Sequence, residues 1–409
     1  MNRLLIIGHQ YPEPGSSAAG TRMMQLIRLF KNSGYDICFA SEAHQGEYAS
    51  DLGELGIACS TIKLNDTSFD EWIKELNPQM VLFDRFIMEE QFGWRVEKVC
   101  PKSIRILDTE DLHFLRKARG VAIKQNRRLN EADLKSDQAK REVASILRSD
   151  LSLMISQFEI ELLENSFNVP NSYLFYLPFL WEKGSSPSLI PFSERSHFVS
   201  IGNFLHEPNW DATQRLKQVI WPIIRKALPS AEMHVYGAYA SEKERQLQDE
   251  KHGFLIKGRA ENAMEVISNC KVLLAPLRFG AGLKGKLFEA MVCGTPSVTT
   301  SIGAEGMSQN RTWNGAVEND EVEFSNKAIE LYENETKWTA ASHMGHELLE
   351  QFDKSKFESE FMLKLDGLKE VLDEHRLGNF IGSMLLYHTQ RSTEFMSRWI
   401  EEKNRSVSS

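Results

Sequence analysis

The chain alternates short runs that are apolar along their whole length with longer runs in which apolar residues recur every three or four positions. The short runs are LLIIG (4–8), DICFA (36–40), MVLF (80–83), SIRIL (103–107) and LSLMI (151–155). Helical patterns lie between them, such as 21–32 and EEQFGWRVEKVC (89–100). Strands without a polar face must be covered on both sides, and strands separated by helices pair in parallel. The rhythm breaks at LPFLWEKGSSPSLIPFSERS (177–196), where three prolines and scattered serines read as a linker. It resumes with HFVSIG (197–202), a helix over 209–227, AEMHVYG (231–237), FLIKG (254–258), KVLLAPL (271–277) and PSVTT (296–300). From about Phe324 the chain becomes helical.

The pattern predicts an α/β protein of two Rossmann-like domains facing a cleft, with a helical C-terminal tail. The expected divisions are an N-terminal domain over 1–180, a linker over 181–196, a second domain over 197–355 and terminal helices over 356–409. Open parallel sheets bind ligands beyond the C-terminal ends of their strands, so those loops are where chemistry is sought. The tail NFIGSMLLYHTQRSTEFMSRWIEEKN (379–404) has an apolar first half and an amphipathic second half. It reads as a packing helix, with a membrane- or partner-facing role as the alternative.

Length and composition change this picture little. The 409 residues leave room for two or three domains, and 42% hydrophobic with 26% charged residues is ordinary for a globular protein. A net charge of −9 argues against a nucleic-acid binder. One stretch, 114–148, runs the other way, with ten basic side chains against four acidic ones. It reads as a solvated helical face; beside the cleft it would attract a lipid phosphate or an anionic glycan. The five cysteines have neither metal-ligand nor redox spacing, which fits reduced thiols. The apolar stretch before Gly8 is too short for a signal peptide, and no segment reaches the ~20 apolar residues of a membrane span. A soluble cytoplasmic protein is expected, with peripheral contact at the inner face of a membrane as a further option.

The densest chemistry is RFGAGLKGKLFEAM (278–291), which leaves the buried strand KVLLAPL and opens a helix. Gly280, Gly282 and Gly285 let main-chain amides approach a ligand, and the helix start adds partial positive charge. Arg278, Lys284 and Lys286 add full charges at the same point. Such a loop suits a diphosphate. Glu289, about a turn into the helix, is better placed to accept hydrogen bonds from neutral hydroxyls, as a ribose offers. The competing reading is a solvated Gly/Lys turn with Glu289 on an exposed face. A second cluster, LDTEDLHFLRKARG (107–120), follows a predicted strand and faces the cleft from the N-terminal domain. His113 and Asp111 are its candidates for the reacting centre, with acidic neighbours expected to raise the histidine's pKa. Helix-start chemistry by Asp108, Thr109, Glu110 and Asp111 is the alternative. Arg22 either points at anionic ligand oxygens or sits in a helix's first turn.

PLRFGAGLKGKLFEAMVCGTPSVTTSIGAEGM resembles the nucleotide-sugar-binding segment of GT-B fold retaining glycosyltransferases of the group 1, family 4 type. VSIGNFLHEPNWDA (199–212), FLIKGRAENAMEVISNCKVLLAPL and the glycine-rich HQYPEPGSSAAGTR resemble further segments of that family, so the likeness covers roughly 1–350. It implies donor contacts from Gly15, Gly202, Asn203, Gly258, Arg259, Arg278, Gly280, Gly282, Lys284, Glu289 and Glu305. It also implies that a His or Asp at the position of His113 and Asp111 touches the donor sugar or the acceptor. The family's pair of glutamates separated by seven residues is incomplete, because Ala281 stands where the first would be. Glu305 is the candidate to replace its contact with a sugar hydroxyl.

The resemblance thus implies transfer of a sugar from a UDP- or GDP-sugar to a glycan or lipid-linked acceptor, with retention of configuration, in cell-envelope polysaccharide synthesis. No cofactor, metal or nucleic acid is expected. A sugar-nucleotide epimerase of similar fold and a non-catalytic nucleotide-sugar-binding scaffold are the alternatives.

Overall fold

A computed structural model describes residues 2–309 and 311–408. Seven parallel strands form the first sheet: β1 (Arg3–Gly8), β2 (Asp36–Ser41), β3 (Ala58–Thr61), β4 (Met80–Asp84), β5 (Ile104–Asp108), β6 (Leu151–Met154) and β7 (Leu174–Tyr176). Their order is β3-β2-β1-β4-β5-β6-β7. A second parallel sheet holds β8 (Ser196–Ile201), β9 (Met233–Tyr236), β10 (Phe254–Gly258), β11 (Cys270–Ala275), β12 (Ser297–Thr299) and β13 (Gly315–Val317). Its order is β10-β9-β8-β11-β12-β13. Two doubly wound domains of this kind constitute the expected two-Rossmann architecture, with a helical C-terminal region.

The uniformly apolar strands are buried on both faces for the reason their sequence implies. Leu5 and Ile7 face one core while Leu4 and Ile6 face the other. In the second sheet Val199 and Leu273 face one core, and Phe198, Val272 and Leu274 the opposite one. β3, β7 and β13 were not expected from the pattern. They are three or four residues long and lie at sheet edges; β3 and β13 are largely solvent-facing and carry no apolar run, while β7 (LFY) is apolar but only three residues long.

The chain returns to the first domain at its end. Trp181, in the outgoing connection, donates its amide to Phe352 O at 2.8 Å and accepts from Lys354 N at 2.9 Å. Two crossings between the domains therefore run side by side. Beyond them the helix Lys354–Glu370 adds Phe357, Phe361, Leu365 and Leu368 to the core that contains Leu4 and Ile6. No helix among the described residues is long and apolar enough to cross a membrane.

Arg22 does not face a ligand. It is buried, with Nε 2.9 Å and Nη2 2.8 Å from Asp108 Oδ1 and Nη1 donating to Leu177 O at 2.6 Å. The pair fastens the helix Ala18–Asn32 to the end of β5. Removing one member of a buried ion pair strands the other charge without solvent. Arg22→Met should therefore cost about 3–5 kcal/mol, and the double change Arg22→Met with Asp108→Leu should recover much of it. The shift in the urea midpoint of the N-terminal domain measures both.

Candidate active site

A cavity of about 410 Å³ lies between the two sheets' C-terminal edges. It is lined from the first domain by Gly15, Arg85, Glu110, Asp111, His113 and Arg116. From the second domain come Gly202, Asn203, His206, Asn209, Gly280, Ala281, Gly282, Lys284, Lys286 and Glu289.

The second domain's wall is the loop after β11 and the helix Gly285–Val292. Lys286 Nζ reaches back to Asn209 Oδ1 at 2.8 Å, across Gly202. A Cβ on Gly202 would sit 2.8 Å from that Nζ, so only glycine leaves the ammonium its place. Lys284 Nζ donates to Gly282 O at 2.6 Å. Burial lowers both ammonium groups to about 8, despite nearby Glu289 for Lys286 and Glu305 for Lys284. Burial likewise raises Glu289 to about 7 against the pull of Lys286. The Glu289 carboxylate takes no hydrogen bond from the described residues and lines the cavity, as a hydroxyl acceptor would. Gly282 has φ +63°, and a Cβ there would lie 2.8 Å from Asp111 Cβ, so the glycine lets the two domains touch.

The first domain's wall is more strained. Arg85 (φ +72°) and Glu110 (φ +66°) follow the paired ends of β4 and β5, both in the left-handed region unusual for their side chains. Arg85 N donates to Asp108 O at 2.8 Å. Asp111 hydrogen-bonds Arg116 and lies 3.4 Å from His113 Nε2. Burial pushes the Asp111 carboxyl up, but Arg116, His113 and His206 outweigh it and hold the group below its ordinary value. His113 departs from expectation. Burial, helped by Arg116 and Arg85, lowers it to about 4 although Asp111 pulls the other way. It is neutral at physiological pH. Its helix, His113–Lys124, begins on a buried carboxylate, with Glu142 accepting the amides of His113 and Phe114 at 2.9 Å each.

The cavity thus gathers Gly15, Asp111, His113, Gly202, Asn203, Gly280, Gly282, Lys284 and Glu289. Gly258, Arg259, Arg278 and Glu305 lie outside its lining. Arg278 points away: its exposed side chain pairs with Asp211, Nε to Oδ2 at 2.9 Å. Arg259 lies over the Tyr48 ring at 4.3 Å, beside Gly15, and so bridges the domains at the cavity's rim. Glu305 is held by both Arg119 nitrogens at 2.8 and 2.7 Å, and Arg119 also donates to Gly280 O at 2.8 Å. It serves as a clasp between domains. The basic run 114–148 is not one solvated face. Arg119, Arg127, Arg141 and Arg148 are ion-paired, to Glu305, Asp133, Glu90 and Glu89, and Arg148 is buried. Arg85, Asn209 and His206 also line it. His206 and Asn209 lie in the quoted segment 199–212, and Arg85 had a signal in its position directly after a predicted strand. Among the described residues one group, His197, Glu232 and His234, has metal-ligand proximity, and it lies outside the cavity.

Comparison with known proteins agrees with this geometry. Residues 195–334 match the family described as Glycosyl transferases group 1. The fold is that of TarM from S. aureus, solved with fondaparinux, alpha-GlcNAc-glycerol and UDP (TM-score 0.69, 9% identity, 89% of this chain and 99% of that one). It is also that of Anabaena HepE, solved with UDP and glucose (TM-score 0.66, 13% identity, 90% and 100%). Sucrose-phosphate synthase from Thermosynechococcus elongatus is similar as well (TM-score 0.66, 13% identity, 90% and 99%). No curated protein matches in sequence. The architecture is thus the two-domain GT-B fold, and its second domain is similar over residues 195–334 to the group 1 glycosyltransferases.

The two lysines make a pH prediction. An anion binds their charged forms, which predominate below about pH 7, are half populated near pH 8 and are lost above it. Affinity for a nucleoside diphosphate should rise from pH 6 to about 7.5 as Glu289 and the terminal phosphate ionise, and fall by up to about tenfold per pH unit beyond 8 for each proton taken up. Lys286→Met should weaken binding and flatten the profile, measured by calorimetry across pH.

Proposed function

We propose that the protein transfers a sugar from a UDP-sugar to a hydroxyl of a glycan or lipid-linked acceptor, with retention of configuration, in cell-envelope polysaccharide synthesis. The observation that carries this reading is the pairing of a buried and a half-buried ammonium group, Lys284 and Lys286, with the unpartnered Glu289 carboxylate on one loop and helix of the cavity. The lysines and the helix start bind the diphosphate, and Glu289 accepts from the ribose hydroxyls. UDP is favoured over GDP because TarM and HepE were solved with UDP.

In the reaction the bond from the sugar's anomeric carbon to the diphosphate oxygen breaks, and a bond from that carbon to the acceptor oxygen forms on the same face. Negative charge grows on the departing diphosphate, where Lys284, Lys286 and the helix N-terminus are fixed in advance. The acceptor's proton needs a base. With its pKa near 4, His113 is a weak one, so the proton passes to the departing phosphate oxygen. Asp111 and His113 then orient the acceptor hydroxyl and the sugar. Arg116 keeps Asp111 ionised for that purpose. Ala281, where the family's first glutamate would stand, leaves the sugar to these groups of the first domain.

The test is calorimetry with UDP, GDP and ADP on the wild type and Glu289→Ala. We expect UDP to bind best and the substitution to weaken it about tenfold to a hundredfold, the loss of hydrogen bonds to a charged acceptor. UDP-sugar turnover that needs an added acceptor, with the product's anomeric configuration read by NMR, supports the transferase. Turnover of the nucleotide sugar alone would select an epimerase, and binding without any turnover would select a scaffold. Failure of every nucleoside diphosphate to bind would refute the site.

A further inference from the structure

The chain's last helix is mounted with its polar side on the protein. Phe380–Leu385 runs through a π-helical turn, Leu386–Gln390, into Arg391–Ser408. Its attachments recur at helical spacing and are polar or small. Asn379 Nδ2 donates to Leu147 O at 2.7 Å, and Gly382 lies so close that a Cβ would be 2.2 Å from the same oxygen. Glu394 accepts from Lys98 at 2.8 Å, Ser397 from Arg95 at 3.1 Å, and Glu401 from the Thr67 amide at 3.1 Å.

The opposite side carries Phe380 (73% exposed), Met384, Tyr387, Phe395 (68%) and Trp399 (61%). Soluble amphipathic helices do the reverse, and an exposed apolar stripe of this length marks an interaction surface. From Phe380 to Trp399 it extends about 30 Å at 1.5 Å per residue. The charges among these side chains include the cations Arg391 and Lys403, and the one exposed acid nearby, Glu402, is paired with Arg405 at 2.8 Å. Arg391 lies 4.1 Å over the Tyr387 ring and Lys403 5.4 Å over Trp399, while Glu394 is turned toward Lys98.

We propose that this helix is an in-plane membrane anchor. The aromatic stripe enters the headgroup region, and Arg391 and Lys403 meet anionic lipid, while Arg398 stays paired with Glu394. Amphipathic rings flanked by long cationic side chains suit that boundary, where one side is apolar and the other wet. A second copy of the chain fits less well. A two-fold pairing of this face would set its cations against their own counterparts, whereas an anionic surface neutralises them. The anchor is independent of which sugar or acceptor the cavity takes.

The full chain should float with vesicles of phosphatidylcholine containing about a third phosphatidylglycerol, bind pure phosphatidylcholine much less, and be released by added salt. Phe395→Ser combined with Trp399→Ser should lower partitioning by about tenfold or more. Both side chains are exposed, so the variant should keep its circular dichroism and its nucleotide binding. The proposal is overturned if the wild type does not float with anionic vesicles or if the double variant floats equally well. It is also overturned if the substitutions abolish a concentration-dependent dimer while vesicle binding is absent.

Discussion

One carboxylate oxygen sets the geometry of the cleft. Glu159 Oε1, buried between the domains, accepts the amide of Leu112 at 3.1 Å and the amide of Gly282 at 2.8 Å. Leu112 directly precedes His113, and Gly282 lies in the loop that carries the lysines. The two walls of the cavity are therefore referred to the same atom. Burial, reinforced by Asp111, raises the Glu159 carboxyl to about 7 while the two amides pull it down. The glycine at 282 is part of this constraint, since a side chain there would meet Asp111 before the amide reached Glu159.

Around that contact the domains are joined by groups of opposite character. Arg119 and Glu305 form a two-pronged charge clasp, Tyr239 donates to Glu13 Oε2 at 2.7 Å, and Phe179 lies 5.3 Å from Phe288. Charge contacts of this kind can exchange partners with an anionic ligand, while the apolar contact persists. Lys284 sits beside the clasp, with Glu305 the largest charge acting to keep it protonated. A diphosphate arriving at Lys284 would thus be felt by the residues that hold the domains together.

The fold was legible because its central strands are buried on both faces, and such strands have to be apolar throughout. The edges were not legible, since β3 and β13 are short and solvent-facing and look like loop. The glycine-rich loop at 280–286 could be read because its residue types leave few other uses. Whether each cation in it points inward could not be read: Arg278 and Lys284 are six residues apart, and only the presence of Asp211 decides that the first turns away. Arg22 was ambiguous for the same reason, its partner Asp108 being 86 residues distant. The sign of the His113 shift followed from burial, which acidic neighbours in the sequence do not reveal.

The paired crossings at Trp181 and Phe352–Lys354 bear on how the two halves can move. A single tether between two bodies permits swing and twist alike. Two adjacent tethers, hydrogen-bonded to each other, resist twist and leave mainly rotation about one line, as with a door on two pins. Opening would then carry the lysine loop away from His113 along a fixed arc and return it to the same register each time. Opening and closing of such a molecule would then be close to a one-dimensional motion, with no search among orientations.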